Sequence, residues 1–289
     1  MKIIIPNLPL YILRYIAQCL QSVNDDALAV LMWDANRTSI IDMFDETHPN
    51  IVFLHTSHLD NTFASLCQEF DFKYVLIVTE EQIPDNLPQP PIAILDLSNT
   101  GIVSKATKNI IRPKPMANIP DIHNTQYLDK LRSTILIDTT SAIFNNDIVG
   151  LLSYLTNQYP TKIIGSQPIS LHHYLGGVNM VDRANLFKSA RVVVDIGHAG
   201  DCWDAAYLKV PSLSVYPTNS VILYCQDLSA FKRNLDSILN KDLIRKKYIT
   251  ESYNEACNNT SFIFTSQLFN IIGEPQLSQA LLKTQETLI

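Results

Sequence analysis

The sequence RVVVDIGHAGDCWDAAY, residues 191–207, is the stretch that decides the fold. It predicts a buried strand over 192–196, a loop with the glycines Gly197 and Gly200, and the first turn of a helix. Six of the chain's eight glycines lie between positions 150 and 200. Because glycine serves where the backbone takes unusual conformations or closely approaches a ligand, this crowding predicts a binding site. The alternative is that these glycines only form turns at the strand ends of an α/β sheet.

Strands and helices alternate on both sides of this stretch. Apolar runs predict strands over 2–5, 27–33, 50–55, 73–79 and 91–97, and then over 134–138, 162–164, 172–176, 192–196 and 212–215. Runs that are apolar on both faces are typical of parallel sheets covered by helices. The alternation predicts right-handed βαβ crossovers and therefore an α/β fold with mostly parallel sheets.

A proline-containing stretch over 99–132, with a basic run from Lys105 to Lys114, interrupts this alternation. Irregular chain between two α/β patterns is typical of an interdomain linker. The predicted parts are an N-terminal Rossmann-like domain over 1–115, a linker over 116–132, a C-terminal Rossmann-like domain over 133–272 and a C-terminal tail over 273–289.

Composition narrows the class of protein. The net charge of −6 provides no overall field to attract nucleic acid or an anionic membrane. The basic run from Lys105 to Lys114 is either a solvated surface or a local contact for nucleic acid. The five cysteines are odd in number and never in C-x-x-C spacing, which favours reduced thiols in a cytoplasmic protein and opposes a zinc site. No apolar run is long enough to predict a membrane span.

Three segments resemble the C-terminal, donor-binding domain of GT-B-fold glycosyltransferases. They are YLGGV at 174–178, NLFKSARVVV at 185–194 and DAAYLKVPS at 204–212. The last segment is also similar to the heptosyltransferase branch, and the resemblance covers roughly 134–217. It implies two Rossmann-like domains that face each other across a cleft.

The sequence departs from the family pattern in three places. Asp204 stands where the family has glutamate, and Lys209-Val210 replaces a glycine before the proline. In the N-terminal half, Pro6-Asn7-Leu8-Pro9 stands in place of a glycine-rich loop. These departures leave open a non-catalytic protein that keeps the fold and the nucleotide sugar.

The loop 197–200 leads into a helix whose free amides and positive dipole end suit a diphosphate. Asp201 is its predicted N-cap, and Asp204 is predicted either to support the cap or to bind a ribose. The resemblance implies that Gly176, Gly177 and Val178 line the nucleotide base. The full predicted donor site is Thr140, Ser141, Gly165, Ser166, Gly176, Gly177, Val178, Gly197, His198, Ala199, Gly200, Asp201 and Asp204.

A catalytic base of an inverting reaction is predicted from His55, His58 and Asp60, which follow the third strand of the N-terminal half. The alternative is that the histidines are structural, and a retaining mechanism needs no such base. Arg183 or Lys188 is expected either to stabilise the leaving diphosphate or to lie on a helix surface. No metal and no separate cofactor are expected, because the nucleotide-diphosphate sugar is itself the donor substrate.

The predicted function is a metal-independent glycosyltransferase that moves a sugar to a glycan, a lipid-linked or another acceptor. The alternatives are a non-catalytic nucleotide-sugar-binding protein, a sugar-nucleotide epimerase, and a phage-type transferase that acts on a modified DNA base. The last alternative depends on the basic run as a contact for DNA.

Overall fold

The structure is a computed structural model. It describes the chain except for residues 35–39, 60, 80–82, 84–86, 88, 99–106, 141, 143, 166–172, 197–199, 216–222, 226 and 289. The chain divides into two compact units, of which the first comprises Met1–Lys114 with Ser261–Ile289 and the second Pro115–Thr260. Each unit contains its own parallel sheet, which confirms the predicted fold class.

The first unit is built on six parallel strands. They are β1 (Lys2–Pro6), β2 (Ala29–Trp33), β3 (Ile51–His55), β4 (Lys73–Val78), β5 (Ala93–Asp96) and β6 (Ile110–Ile111). Their order in the sheet is β2-β1-β3-β4-β5-β6. The chain first extends the sheet on one side of β1 and then continues on the other, so the strand order reverses between β1 and β3. Doubly wound sheets bind ligands in the crevice that such a reversal opens.

The second unit is built on five parallel strands. They are β7 (Ile135–Asp138), β8 (Thr161–Ile164), β9 (Val192–Asp195), β10 (Ser212–Ser214) and β11 (Leu223–Tyr224). Their order is β11-β10-β9-β7-β8, so this sheet reverses between β7 and β9. In the register of these strands, Asp138 lies opposite Asp195 and Asp195 lies opposite Ser214.

Helices cover the sheets of both units. They are α1 (Tyr11–Gln21), α2 (Ile40–Thr47), α3 (Asn61–Glu69), α4 (Ile119–Ile122), α5 (Asn146–Gln158), α6 (Met180–Ser189), α7 (Gly200–Tyr207), α8 (Leu228–Asn240), α9 (Asp242–Asn258), α10 (Ser261–Ile271) and α11 (Pro275–Leu288).

Strand β9 shows why the strands are continuous apolar runs. Val192 and Val194 belong to a core with Leu155 of α5 and Leu235 of α8. Val193 belongs to a second core, which contains residues of α6 and α7. Both faces of the sheet are therefore buried under helices, and polar residues at alternate positions would be costly.

The C-terminal helices α10 and α11 are part of the first unit, although the chain reaches them only after the second. Helix α10 contacts α1, and the ring centroid of Phe269 lies 6.5 Å from that of Phe53 in β3. Gly273, at φ 87°, connects the two helices, and the hydroxyls of Ser266 and Ser278 lie 2.8 Å apart between them.

The structure divides the chain differently from the sequence prediction. The predicted linker 116–132 lies inside the second unit, where it contains α4 and pairs at Ala117 with Thr260. Residues 261–272, predicted for the C-terminal domain, form α10 of the first unit, and the tail is mostly α11. Nothing in the sequence indicates this return, because the apolar pattern of a helix does not identify the sheet against which it packs.

The apolar pattern of the sequence did not predict two of the strands, and it predicted one strand wrongly. Strands β6 and β11 have two residues each, too few for an apolar pattern. The strand predicted over 172–176 is, in its described part, only a single bridge between Tyr174 and Ile163.

We predict that Phe269→Ala lowers the free energy of unfolding by about 3–5 kcal/mol, because it leaves a cavity between α10 and the sheet of the first unit. Ile271 on the same helix is 42% exposed, so Ile271→Ala should cost less than about 1 kcal/mol. Urea unfolding followed by circular dichroism compares the two variants. Equal losses would show that α10 does not support this core.

Candidate functional site

The reversal between β7 and β9 places two loops at the carboxyl edge of the second sheet. Asp138 ends β7 and Asp195 ends β9, and both are fully buried. From these ends the chain leads to α5 on one face and to α7 on the other. In a doubly wound sheet, the crevice at such a reversal is the usual position of a ligand.

Gly165 lies beside this crevice, at the end of β8. The hydroxyl of Thr139 donates to the carbonyl oxygen of Ile164 at 2.9 Å. A Cβ at position 165 would lie 2.1 Å from that hydroxyl oxygen, and the φ of Gly165 is 154°. Only glycine permits this approach of the loops after β7 and β8. Its predicted contact with the donor stays a prediction.

Gly176 and Gly177 are brought next to Gly165. The amide of Gly165 donates to the carbonyl oxygen of Gly176 at 3.3 Å, and the Tyr174 hydroxyl donates to the carbonyl oxygen of Gly165 at 2.8 Å. Gly176 has φ 92°, whereas Gly177 is exposed and its Cβ would make only an ordinary contact at 3.4 Å. Backbone conformation thus requires glycine at 176 but not at 177. Val178 packs partly against the core under α6 and α7.

A buried ion network lies below the crevice. Arg183, in the first turn of α6, is 7% exposed, and its Nε donates to Asp138 at 2.7 Å. Its Nη1 lies 3.5 Å from a carboxylate oxygen of Asp204 in α7. The other oxygen of Asp204 accepts the amide of Asn118 at 2.8 Å, and the amide of Thr140 donates to Asp138 at 2.8 Å. One guanidinium therefore joins the end of β7 to α6 and α7.

This network bears on the predicted role of Asp204. Asp204 is 2% exposed, and both carboxylate oxygens have partners inside the protein. A carboxylate with so little surface suits the support of neighbouring elements better than contact with a ribose. The sequence alone places Asp204 on a helix but does not indicate that Arg183 lies against it.

The two candidate cations lie in different places. The charge of Arg183 is balanced by two buried carboxylates. Lys188, in the last turn of the same helix, lies near the amino edge of the sheet, where its Nζ donates to the carbonyl oxygen of Thr125 at 2.8 Å. Neither position resembles an unpaired cation at the carboxyl edge.

Several predicted residues lie outside the described residues, namely Ser141, Ser166, Gly197, His198 and Ala199. Helix α7 begins at Gly200, so Asp201 lies inside its first turn and does not occupy the predicted N-cap position. The contacts of all these residues with a donor stay predictions.

A pocket of about 400 Å³ opens at the same edge, between the first turns of α5 and α8. The side chains of Asn145 and Asp227 cap these helices by accepting the amides of Ile148 and Ala230. Leu151, Val215 and Phe231 are among the apolar residues of its wall, and Asp147 and Asp227 are among its polar ones. The pocket therefore has both apolar and polar faces. Asn145 and Asp227, as residue types that favour helix N-caps, are the sequence signal that indicates the two helix starts beside this pocket.

The histidines predicted as bases lie at the carboxyl end of β3, next to the reversal in the first unit. His55 Nδ1 accepts the amide of Ser57 at 3.2 Å, and its Nε2 lies 2.9 Å from the hydroxyl oxygen of Thr79. His58 Nδ1 accepts the amide of His55 at 3.3 Å, and its ring lies edge-on to Trp33 with centroids 5.0 Å apart. Both rings thus accept a backbone amide at Nδ1, which supports the local structure after β3.

Asp60, the predicted partner of these histidines, lies outside the described residues. The catalytic role of His55 and His58 stays a prediction.

Three further findings concern the cysteines, metal ligands and membrane spans. The five cysteines are free thiols, as expected from their spacing. Within the described ranges, no group of three or more His, Cys, Asp or Glu side chains is placed to hold a metal ion. Among the same residues, no helix combines the length and apolar character needed to cross a membrane.

The two doubly wound sheets define a pair of Rossmann-like units, and solved structures share this architecture. No family model and no curated protein matches the sequence. Sucrose-phosphate synthase from Thermosynechococcus elongatus matches with a TM-score of 0.61 and 8% identity over 98% of this chain and 99% of that chain. Anabaena Alr3699/HepE, solved in complex with UDP and glucose, matches with a TM-score of 0.61 and 10% identity over 93% and 98%.

A third match is the glycotransferase of kitacinnamycin, with a TM-score of 0.52 and 9% identity over 98% of each chain. The chain therefore has the fold of the GT-B glycosyltransferases, which confirms the predicted resemblance at the level of fold.

We predict that Arg183→Ala lowers the free energy of unfolding by about 3–5 kcal/mol, because it leaves two buried carboxylates without their cation. The matched control is Val181→Ala on the same helix, where the side chain is 59% exposed. Chemical denaturation of both variants measures the difference. A loss as small as that of the control would show that the network does not hold the second unit together.

Proposed function

We propose that the protein is a glycosyltransferase that moves a sugar from a nucleotide-diphosphate donor to an acceptor. The observation that carries this proposal is the reversal between β7 and β9, at the edge of the sheet where Gly165, Gly176 and Gly177 lie next to one another. A protein of the same fold was solved with UDP and glucose, which supports the class of ligand.

For the donor, we assign the diphosphate to the loop 197–200 at the start of α7. Amides at a helix N-terminus stabilise an anionic leaving group without a metal or a separate cofactor. The exposed Gly177 is assigned to the base. Asp204 acts indirectly, by holding Arg183 and the amide of Asn118 below the crevice.

For the acceptor, we propose a glycan or a lipid-linked saccharide bound by the first unit. We keep both predicted histidines as candidate bases, since His55 and His58 lie together at the carboxyl end of β3, with ring centroids 6.1 Å apart. Transfer to a DNA base is less well supported, because Arg112 of the basic run is 2.7 Å from the buried carboxylate of Asp96. Its charge is therefore already balanced within the protein.

The donor assignment predicts that Gly177→Leu weakens binding of nucleotide sugars at least about tenfold, because the new side chain enters the space given to the base. Titration calorimetry with UDP-, ADP-, GDP- and CDP-glucose identifies the donor and measures the loss. The fold should tolerate the change, since the backbone at 177 does not require glycine.

The matched control for this experiment is Val149→Ala in α5, where the side chain is 54% exposed and does not line the pocket between α5 and α8. Its nucleotide affinity should equal that of the wild type, and its free energy of unfolding should fall by less than about 1 kcal/mol. If no nucleotide sugar binds the wild type, or if Gly177→Leu binds as tightly as the control, the donor assignment is wrong.

The base assignment predicts that His58→Asn lowers kcat by about a hundredfold or more while KM for the donor stays unchanged. Asparagine keeps an acceptor for the amide of His55 but cannot take up a proton. The control is His48→Asn, because His48 is exposed and its φ of 45° suits asparagine. Nucleoside diphosphate released in the presence of an acceptor is the readout, and an unchanged kcat in His58→Asn would refute the role.

The same assays separate the alternative functions. Conversion of one nucleotide sugar into another without an acceptor would identify an epimerase. Tight binding without turnover, across a panel of glycan and lipid-linked acceptors, would identify a non-catalytic binding protein.

A further inference from the structure

The amino edge of the second sheet contains the larger pocket, of about 850 Å³. It is formed by the residues that precede β7, β9 and β10, together with the first half of α9. A four-residue strand is about 13 Å long, so this pocket lies at the opposite end of the strands from the proposed donor crevice. It is therefore a separate site, and its properties do not depend on the proposed function.

The pocket concentrates positive charge in a protein of net charge −6. Six of the chain's 22 lysines and arginines line it, whereas Asp242 is its one acidic lining residue. The six are Arg132, Lys188, Arg191, Lys209, Arg245 and Lys246.

Neutral groups of the protein hold several of these cations in place. Arg191 donates to the carbonyl oxygen of Leu239 at 2.8 Å, and Arg245 donates to that of Arg191 at 3.3 Å. Within the described part of the chain, none of the six cations forms an ion pair with a carboxylate. Asp242 offsets part of the charge of Arg245. Burial and the nearby Arg191 guanidinium lower the pKa of Arg245, which fits cations that crowd one another.

Lys209 shows that a cation is retained here against the preference of the backbone. The amide of Lys209 donates to the carbonyl oxygen of Ala206, and the amide of Val210 donates to that of Ala205. These two bonds form a Schellman motif at the end of α7, whose left-handed position is usually glycine. Lys209 occupies that position at φ 59°, and its Nζ lies 4.5 Å from the centroid of the Tyr253 ring. A strained residue kept in this way indicates a functional constraint.

We propose that this basic pocket binds a small molecule that carries two or more phosphoryl groups. Its volume exceeds the need of a single phosphate ion and lies in the range of pockets for small organic ligands. Arginine and lysine provide the charge-assisted hydrogen bonds that phosphoryl oxygens accept. Tyr127 and Ile249 add an aromatic and an apolar surface to the wall. A concave site in an acidic protein suits a compact anion better than an extended nucleic acid.

The test measures binding of inorganic tripolyphosphate and of orthophosphate to the full chain by titration calorimetry at low and high salt. Tripolyphosphate should bind at least tenfold more tightly than orthophosphate, and its affinity should fall as salt rises. Lys209→Gly and Lys246→Gln should each weaken tripolyphosphate binding by about tenfold, the usual effect of removing one charge-assisted hydrogen bond. Lys209→Gly should also unfold at the same denaturant concentration as the wild type or a higher one, which separates lost binding from lost structure.

The matched control is Lys247→Gln, the neighbour of Lys246 on α9, whose side chain is 75% exposed and does not line the pocket. It should leave the affinity unchanged. Equal affinity in the wild type and in both pocket variants would overturn the proposal. So would tighter, salt-sensitive binding of a 20-nucleotide single-stranded DNA that Lys246→Gln abolishes, because the pocket would then belong to a nucleic-acid surface.

Discussion

The second unit depends on one buried cation, Arg183, and on the carboxylates of Asp138 and Asp204 that balance it. The three groups belong to α6, β7 and α7, and the guanidinium also lies 4.5 Å from the ring of Phe187. Charges this deep are costly unless every polar atom has a partner, so the geometry of each element is fixed by the others. The guanidinium of Arg183 therefore joins the end of β7 to α6 and α7.

That contact explains how the carboxyl edge can remain open to an anion. A buried aspartate at the end of each central strand would repel a phosphate if its charge were exposed. Asp138 instead accepts hydrogen bonds from Arg183 and from the amide of Thr140. The charge of Asp138 is thus balanced within the protein, which suits the diphosphate that we propose at the start of α7.

The sequence predicted the parts of the fold that depend on local pattern. Apolar runs such as Val192 to Val194 are continuous because both faces of a parallel sheet are buried, and this signal needs no knowledge of partners. Gly165 and Gly176 occupy backbone positions that require glycine, as the crowding of glycines in this half predicted. Such a requirement is visible in the sequence because it determines the type of the residue at that position. Asp204 was harder, because whether an aspartate faces solvent or a buried arginine depends on contacts between elements. The return of α10 to the first unit was hidden for the same reason.

The two edges of the second sheet show why long-range charge arrangements escape a reading of the sequence. The cations of the basic pocket extend from Arg132 to Lys246, and along the chain each looks like an ordinary solvated residue. Parallel strands bring the residues before each strand to one edge and those after it to the other. Because every crossover in this unit repeats that arrangement, residues far apart in sequence accumulate at the same edge. The donor site that we propose at one edge and the basic pocket at the other both follow from the same parallel topology.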